Sequence, residues 1–118
     1  MPIPITSEIK AKIKLDDTTA RLLRTLDLEW GCACRLLKRM LDAGFDTGTI
    51  ASALQVVLPS YQRMCRERVS EHERLQTVLG HVYQSLKRTG NAPTPEQTAL
   101  WCKESFIPSE VAERLIHG

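Results

Sequence analysis

Gly44 and Pro59 bracket a short apolar stripe, Ile50, Ala51 and Leu54, and this punctuation constrains the chain more than any other feature. Gly44 sits where a helix C-terminal glycine belongs. Proline lacks an amide donor and clashes with the carbonyl four residues back, so Pro59 is comfortable only in the first turn of a helix. The stretch from Ala43 to Arg68 therefore predicts two short helices joined by a tight turn, the second of them basic. With Tyr61, Met64, Cys65 and Val69 turned inward, helix geometry leaves Ser60, Gln62, Arg63 and Arg66 pointing out. A short amphipathic helix, a turn, and a helix with outward Ser, Gln and Arg make the build of a helix-turn-helix, whose second helix can enter the DNA major groove.

The rest of the chain is punctuated in the same way. Ile9, Ala11, Ile13 and Leu15 alternate with Lys10, Lys12 and Lys14, which suits a half-exposed strand or an extended arm over residues 1–15. The same residues also fit one turn of an amphipathic helix carrying Ile9 and Ile13. From Asp16 the spacing becomes helical, and Trp30, Ala33, Leu37, Met40 and Leu41 form one apolar face with Arg35, Lys38 and Arg39 mostly opposite. Either one helix or two, broken near Leu26-Asp27, accounts for that region. Asp46 or Thr47 can cap the next helix. A helix from Glu71 to Arg88 puts Leu75, Val78, Leu79, Val82 and Leu86 at core spacing, and Gly90 stops it. Thr94-Pro95-Glu96-Gln97 has the order of a capping box with proline at the first helical position. Phe106-Ile-Pro-Ser echoes Val57-Leu-Pro-Ser, either as a duplication or because short helices commonly begin this way.

These signals predict an all-α protein of five or six helices. A single helical domain over 16–118 contains a helix-turn-helix at about 46–69 and follows the N-terminal arm or strand. At 118 residues with 42% hydrophobic content, the chain can bury one modest core. Its apolar runs are too interrupted to reach the roughly 20 residues that span a bilayer. The start, Met1-Pro-Ile-Pro-Ile-Thr-Ser-Glu, lacks the charged and apolar regions of a signal peptide, so a cytoplasmic protein with no membrane partner is expected.

Chemistry is sparsely represented. The four cysteines, Cys32, Cys34, Cys65 and Cys102, form no CxxC pair. Cys32 and Cys34 project about 200° apart on a helix, so all four read as small core residues, with no metal site. His72, His81 and His117 are scattered, and there is no HExxH, glycine-rich phosphate loop, activated serine or carboxylate pair outside capping positions. No enzyme, cofactor or small-molecule substrate is expected. Trp30 and Trp101 fall on apolar faces and read as core anchors.

The charge pattern is more telling. A net charge of +2 is below the range in which a whole domain binds nucleic acid electrostatically, but cations concentrate from Arg63 to Arg68 and at Lys87-Arg88. Arg63 and Arg66 suit guanine edges or phosphates, or else form the solvated face of an amphipathic helix. Arg35, Lys38 and Arg39 are candidates to extend a phosphate-binding surface, and the helix start at Ser60 to supply amide donors.

The helix ending Leu41-Asp-Ala-Gly44-Phe45, followed by Ile50-Ala51, Leu54, Leu58-Pro59 and a polar basic helix, resembles part of the flagellar master transcriptional activator. So does the later Gly90-to-Pro95 linker leading to Trp101. The resemblance is to that activator's C and D subunits and to relatives on integrative and conjugative elements. It covers roughly residues 35–101, and the chain lacks the four-cysteine zinc region of the C subunit. It implies a non-enzymatic activator subunit that binds double-stranded bacterial promoter DNA as a homo- or hetero-oligomer with a partner regulator. The alternative from another class is a helical protein-binding adaptor, such as a secretion chaperone or a phage- or mobile-element-encoded inhibitor, without DNA binding.

Overall fold

Helix boundaries here are set by caps that the sequence places at the ends of apolar stripes. The computed structural model describes residues 17–117 together with Ile9. The arm or strand expected over residues 1–15 lies outside the described residues, apart from Ile9, which is helical and fully buried. The described residues form six helices: α1 Asp17–Glu29, α2 Gly31–Asp42, α3 Thr47–Arg66, α4 Glu71–Arg88, α5 Pro95–Glu104 and α6 Ser109–His117. No strand occurs among them.

Three starts are capped by side chains that take up amides left free in a first helical turn. Asp46 accepts from the Thr49 amide at 2.9 Å, and Ser70 accepts from the Glu73 amide at 3.3 Å. At α5 the capping box is complete, with Thr94 and Gln97 exchanging bonds of 3.1 Å. Four ends close with paired backbone bonds around a residue of positive φ. Gly44 (φ 91) and Gly90 (φ 72) carry no Cβ to oppose that conformation, but Arg68 (φ 57) and Phe106 (φ 59) do. The break between α1 and α2 falls at Trp30, whose extended φ of −141 interrupts the helix, rather than near Leu26-Asp27.

The turn expected at Pro59 does not form. Residues 47–66 are one helix of 20 residues with Pro59 inside it and exposed. Val57, Leu58 and Tyr61 are buried on either side of the proline. Each contributes roughly 1.5–3 kcal/mol on full burial, which together exceeds the cost of about 3 kcal/mol for an interior proline.

α1 packs across both α2 and α3, whereas α2 and α3 diverge from their shared turn and barely approach each other. α3 and α4 form the most extensive pair. They run antiparallel, because Asp46, Gly48, Thr49 and Ser52 at the start of α3 share a groove with Ser85, Arg88 and Thr89 at the end of α4. α6 lies on α4 and α5. α5 reaches α2 through the Arg39–Glu104 ion pair at 2.6 Å, and Phe45 and Trp101 meet edge to face at 6.0 Å. Leu23, Leu26, Leu37, Met40, Ile50, Leu54, Leu79 and Leu86 are among the fully buried side chains at the centre.

One polar cluster ties the N-terminal helices to the hairpin. Glu29 accepts a hydrogen bond from the Tyr61 hydroxyl at 2.6 Å and lies 3.6 Å from the Arg74 guanidinium. Arg74 also donates to the Val69 carbonyl at 2.5 Å and lies over the Trp30 ring. Burial and the Glu29 hydrogen bond push the Tyr61 hydroxyl well above the ordinary phenol range, so it stays a donor.

Candidate nucleic-acid interface

Residues 43–46 connect α2 to α3 with a glycine-closed helix end and a new N-cap. A turn of this length joins α2 and α3 as it joins the two helices of a helix-turn-helix, and α1 packs on both. The two helices expected at about 46–69 are instead one helix, so the pair joined by a tight turn is α2 and α3, over residues 31–66. The displacement follows from the unbroken helix through Pro59.

α3 contains no aspartate or glutamate. Its exposed side carries Gly48, Ser52, Gln55, Val56, Pro59, Gln62, Arg63 and Arg66, at the three- and four-residue steps of one helical stripe. Asp46 stands before the stripe and Glu67 after it. The Asp46 carboxylate is turned onto Thr49, whose side chain and amide both hydrogen bond to it and hold its pKa below the usual carboxylate range.

Neighbouring helices flank the stripe on both sides. From α1, Arg21 and Thr25 line a cleft with Leu58, Tyr61 and Gln62. From α4, Ser85, Arg88 and Thr89 line the groove of about 410 Å³ beside Gly48 and Ser52, with Arg88 donating to the Ser85 hydroxyl at 3.1 Å. The stripe thus combines polar and small side chains at one end with arginines at the other, and cations of α1 and α4 stand at its edges.

The sequence-predicted residues divide between two places. Gln62, Arg63 and Arg66 lie exposed on the stripe, and neither arginine has an ion-pair partner among the described residues. Ser60 is half-buried in mid-helix, so there is no helix start there to bind phosphate. Both arginines occupy the last turn, where they also complement the negative end of the helix dipole. The cations of α2 are engaged elsewhere. Arg39 pairs with Glu104, Lys38 lies 3.5 Å from Asp42, and Arg35 sits 5.9 Å from the centre of the Phe106 ring. The Arg39 and Arg35 contacts hold α2 against the α5 end of the molecule, the Lys38–Asp42 pair lies within α2, and none of the three adds to the α3 stripe.

Sequence reasoning missed Gly48, Ser52, Gln55 and Val56 on the same face, and Arg21 and Arg88 at its sides. The signal was present in Gly44-Phe45-Asp46 followed by Ile50, which marks both the end of one helix and the start of the next. The flanking arginines left no local signal, since only packing brings them there.

The cysteines separate as well. Cys34 and Cys102 are buried, and burial pushes their thiols up to about 12 and about 11. Cys32 is half-buried. Cys65, expected to face inward, is exposed, because it lies in the last turn of α3, past the side chains that meet α1 at Leu58, Tyr61 and Gln62. Among the described residues no group of three His, Cys, Asp or Glu side chains is placed to hold a metal ion, and no helix is long and apolar enough to cross a membrane.

Compared with known proteins, the chain matches no family model, no curated protein and no solved structure.

Proposed function

We propose that this chain is a cytoplasmic DNA-binding transcriptional regulator, one subunit of an oligomeric activator of bacterial promoters, as the resemblance to the flagellar activator subunits implies. The observation that carries this reading is the acid-free exposed face of α3, ending in Arg63 and Arg66, on the second of two helices joined by a tight turn. At 1.5 Å per residue a helix of this length is about 30 Å long, enough to lie in a major groove and still reach phosphates beyond it. Phosphate contacts supply affinity and base contacts supply choice of sequence. The function is binding alone, without a catalytic step.

Fluorescence-anisotropy titration with duplex DNA tests the reading. Replacing both Arg63 and Arg66 with alanine is expected to weaken binding about tenfold or more and to flatten the dependence of affinity on salt, with each lost phosphate contact removing about one unit of slope. The second reading, a protein-binding adaptor, is favoured by Leu28 and Phe106, which are 89% and 78% exposed. Partner binding that is insensitive to salt, with no affinity for duplex DNA, would put that reading first.

A further inference from the structure

We propose that the junction of α4 and α6 is a binding site for a small phosphorylated, hydroxyl-bearing ligand of the sugar-phosphate or nucleoside-monophosphate class. It shares no residue with the α3 stripe or with the clefts beside that stripe, so it stands apart from the DNA-binding reading.

Two grooves run along the junction, and they are continuous because Gln76 and Arg114 line both. One, of about 350 Å³, has no aspartate or glutamate in its lining. On α4, Gln76, Gly80, Gln84 and Lys87 follow one another at three- and four-residue steps along this groove, with His81 beside them, and α6 supplies Arg114. Lys87 and Arg114 are exposed, and neither has an ion-pair partner among the described residues. An ammonium, a guanidinium and two glutamine amides on one groove are donors in the number that the oxygens of a phosphate can accept.

Gly80 is an independent sign of an outside occupant. It lies in the interior of α4, where glycine weakens a helix relative to alanine, and a Cβ added there would find no neighbouring atom within 4 Å. Internal packing therefore gives no reason for a glycine. Its place on the groove does, since a helix bare of a side chain at that point lets a ligand approach the backbone between the glutamines.

The second groove, of about 690 Å³, has the complementary chemistry. Glu73 of α4 and Glu110 and Glu113 of α6 line it. Glu110 lies 3.8 Å from the His72 Nδ1, while Glu73 and Glu113 have no ion-pair partner among the described residues. Ionised carboxylates accept hydrogen bonds and donate none, so they suit the hydroxyls of a polyol and repel a second phosphate. A ligand with its phosphate at Lys87 and Arg114 and its hydroxyls toward the glutamates uses both grooves at once.

The test is titration of the isotope-labelled full chain, followed by heteronuclear NMR, with ribose phosphate, adenosine monophosphate, ribose and inorganic phosphate as probes. Ribose phosphate or adenosine monophosphate is expected to shift, saturably, amides of α4 and α6 that line the grooves. Inorganic phosphate should bind about tenfold more weakly, for want of the hydroxyl contacts, and ribose should give no saturable shift. Replacing Lys87 and Arg114 together with alanine should weaken binding about tenfold or more. Gly80→Leu, which fills the groove, should abolish the shifts while circular dichroism stays helical; if it unfolds, the Lys87 and Arg114 variant decides, since both side chains are exposed. No saturable shift with either phosphorylated probe, or binding unchanged in the variants, would overturn the site. Inorganic phosphate binding as tightly as both phosphorylated probes would overturn the ligand class.

Discussion

The chain contains two aliphatic-Pro-Ser sequences with opposite outcomes. Leu58-Pro59-Ser60 runs through the middle of α3, whereas Ile107-Pro108-Ser109 marks the boundary between α5 and α6. Proline removes the same donor in both. The difference is upstream: α5 has already closed on itself, with Phe106 and Ile107 amides donating to Lys103 and Cys102 at 3.3 and 2.9 Å, before Pro108 is reached. Before Pro59 the helix is still held by buried Leu54 and Val57, and Tyr61 is buried one turn later. The lesson is that proline sets a penalty, and the burial on its two sides decides whether the helix stops.

That contrast can be broken most forcefully at Leu54. Leu54→Ala removes fully buried packing one turn before Pro59 and is expected to cost about 2–5 kcal/mol, with loss of helicity in α3, read as a fall in urea midpoint and in far-ultraviolet circular dichroism. A paired experiment on the prolines should give opposite signs. Pro59→Ala should stabilise by about 1–3 kcal/mol as the helix regains a donor and loses a clash, whereas Pro108→Ala should destabilise by up to about 1 kcal/mol through a freer unfolded chain. Equal effects at both sites would mean that Pro59 is no burden to α3 and that the contrast has another cause. The smallest effect concerns helix ends. Arg68→Gly, at a positive φ, should raise stability by roughly 1 kcal/mol. A drop in melting temperature would show that the Arg68 side chain contributes more than its backbone strain costs.

Much of the fold was legible because many elements carry their own start and stop signals. Thr94-Pro95 with Gln97, the Asp46 cap, the Gly44 and Gly90 ends, and five of the six buried residues of α4, all but Tyr83, follow from local chemistry. Pro59 did not, since its outcome depends on what α3 buries against other helices. Cys65 failed for a related reason: helical phase says which side a residue is on, but not how far along the helix its neighbour extends. The candidate interface was half legible. Gln62, Arg63 and Arg66 were found from phase alone, while Ser52, Gln55 and Val56 were hidden by the assumption that the helix containing them was the supporting one. Arg88 comes to the groove only through the antiparallel return of α4.

The Glu29 cluster has a consequence for how the molecule wears. Arg66 and Arg68 present trypsin with two bonds at an exposed surface turn. Cleavage requires several residues of that turn to swing into an extended shape, and the Val69 carbonyl is held by Arg74, itself held by Glu29. The rate of nicking is therefore governed by how often this clasp opens, so a protease becomes a clock for local unfolding of the hairpin turn.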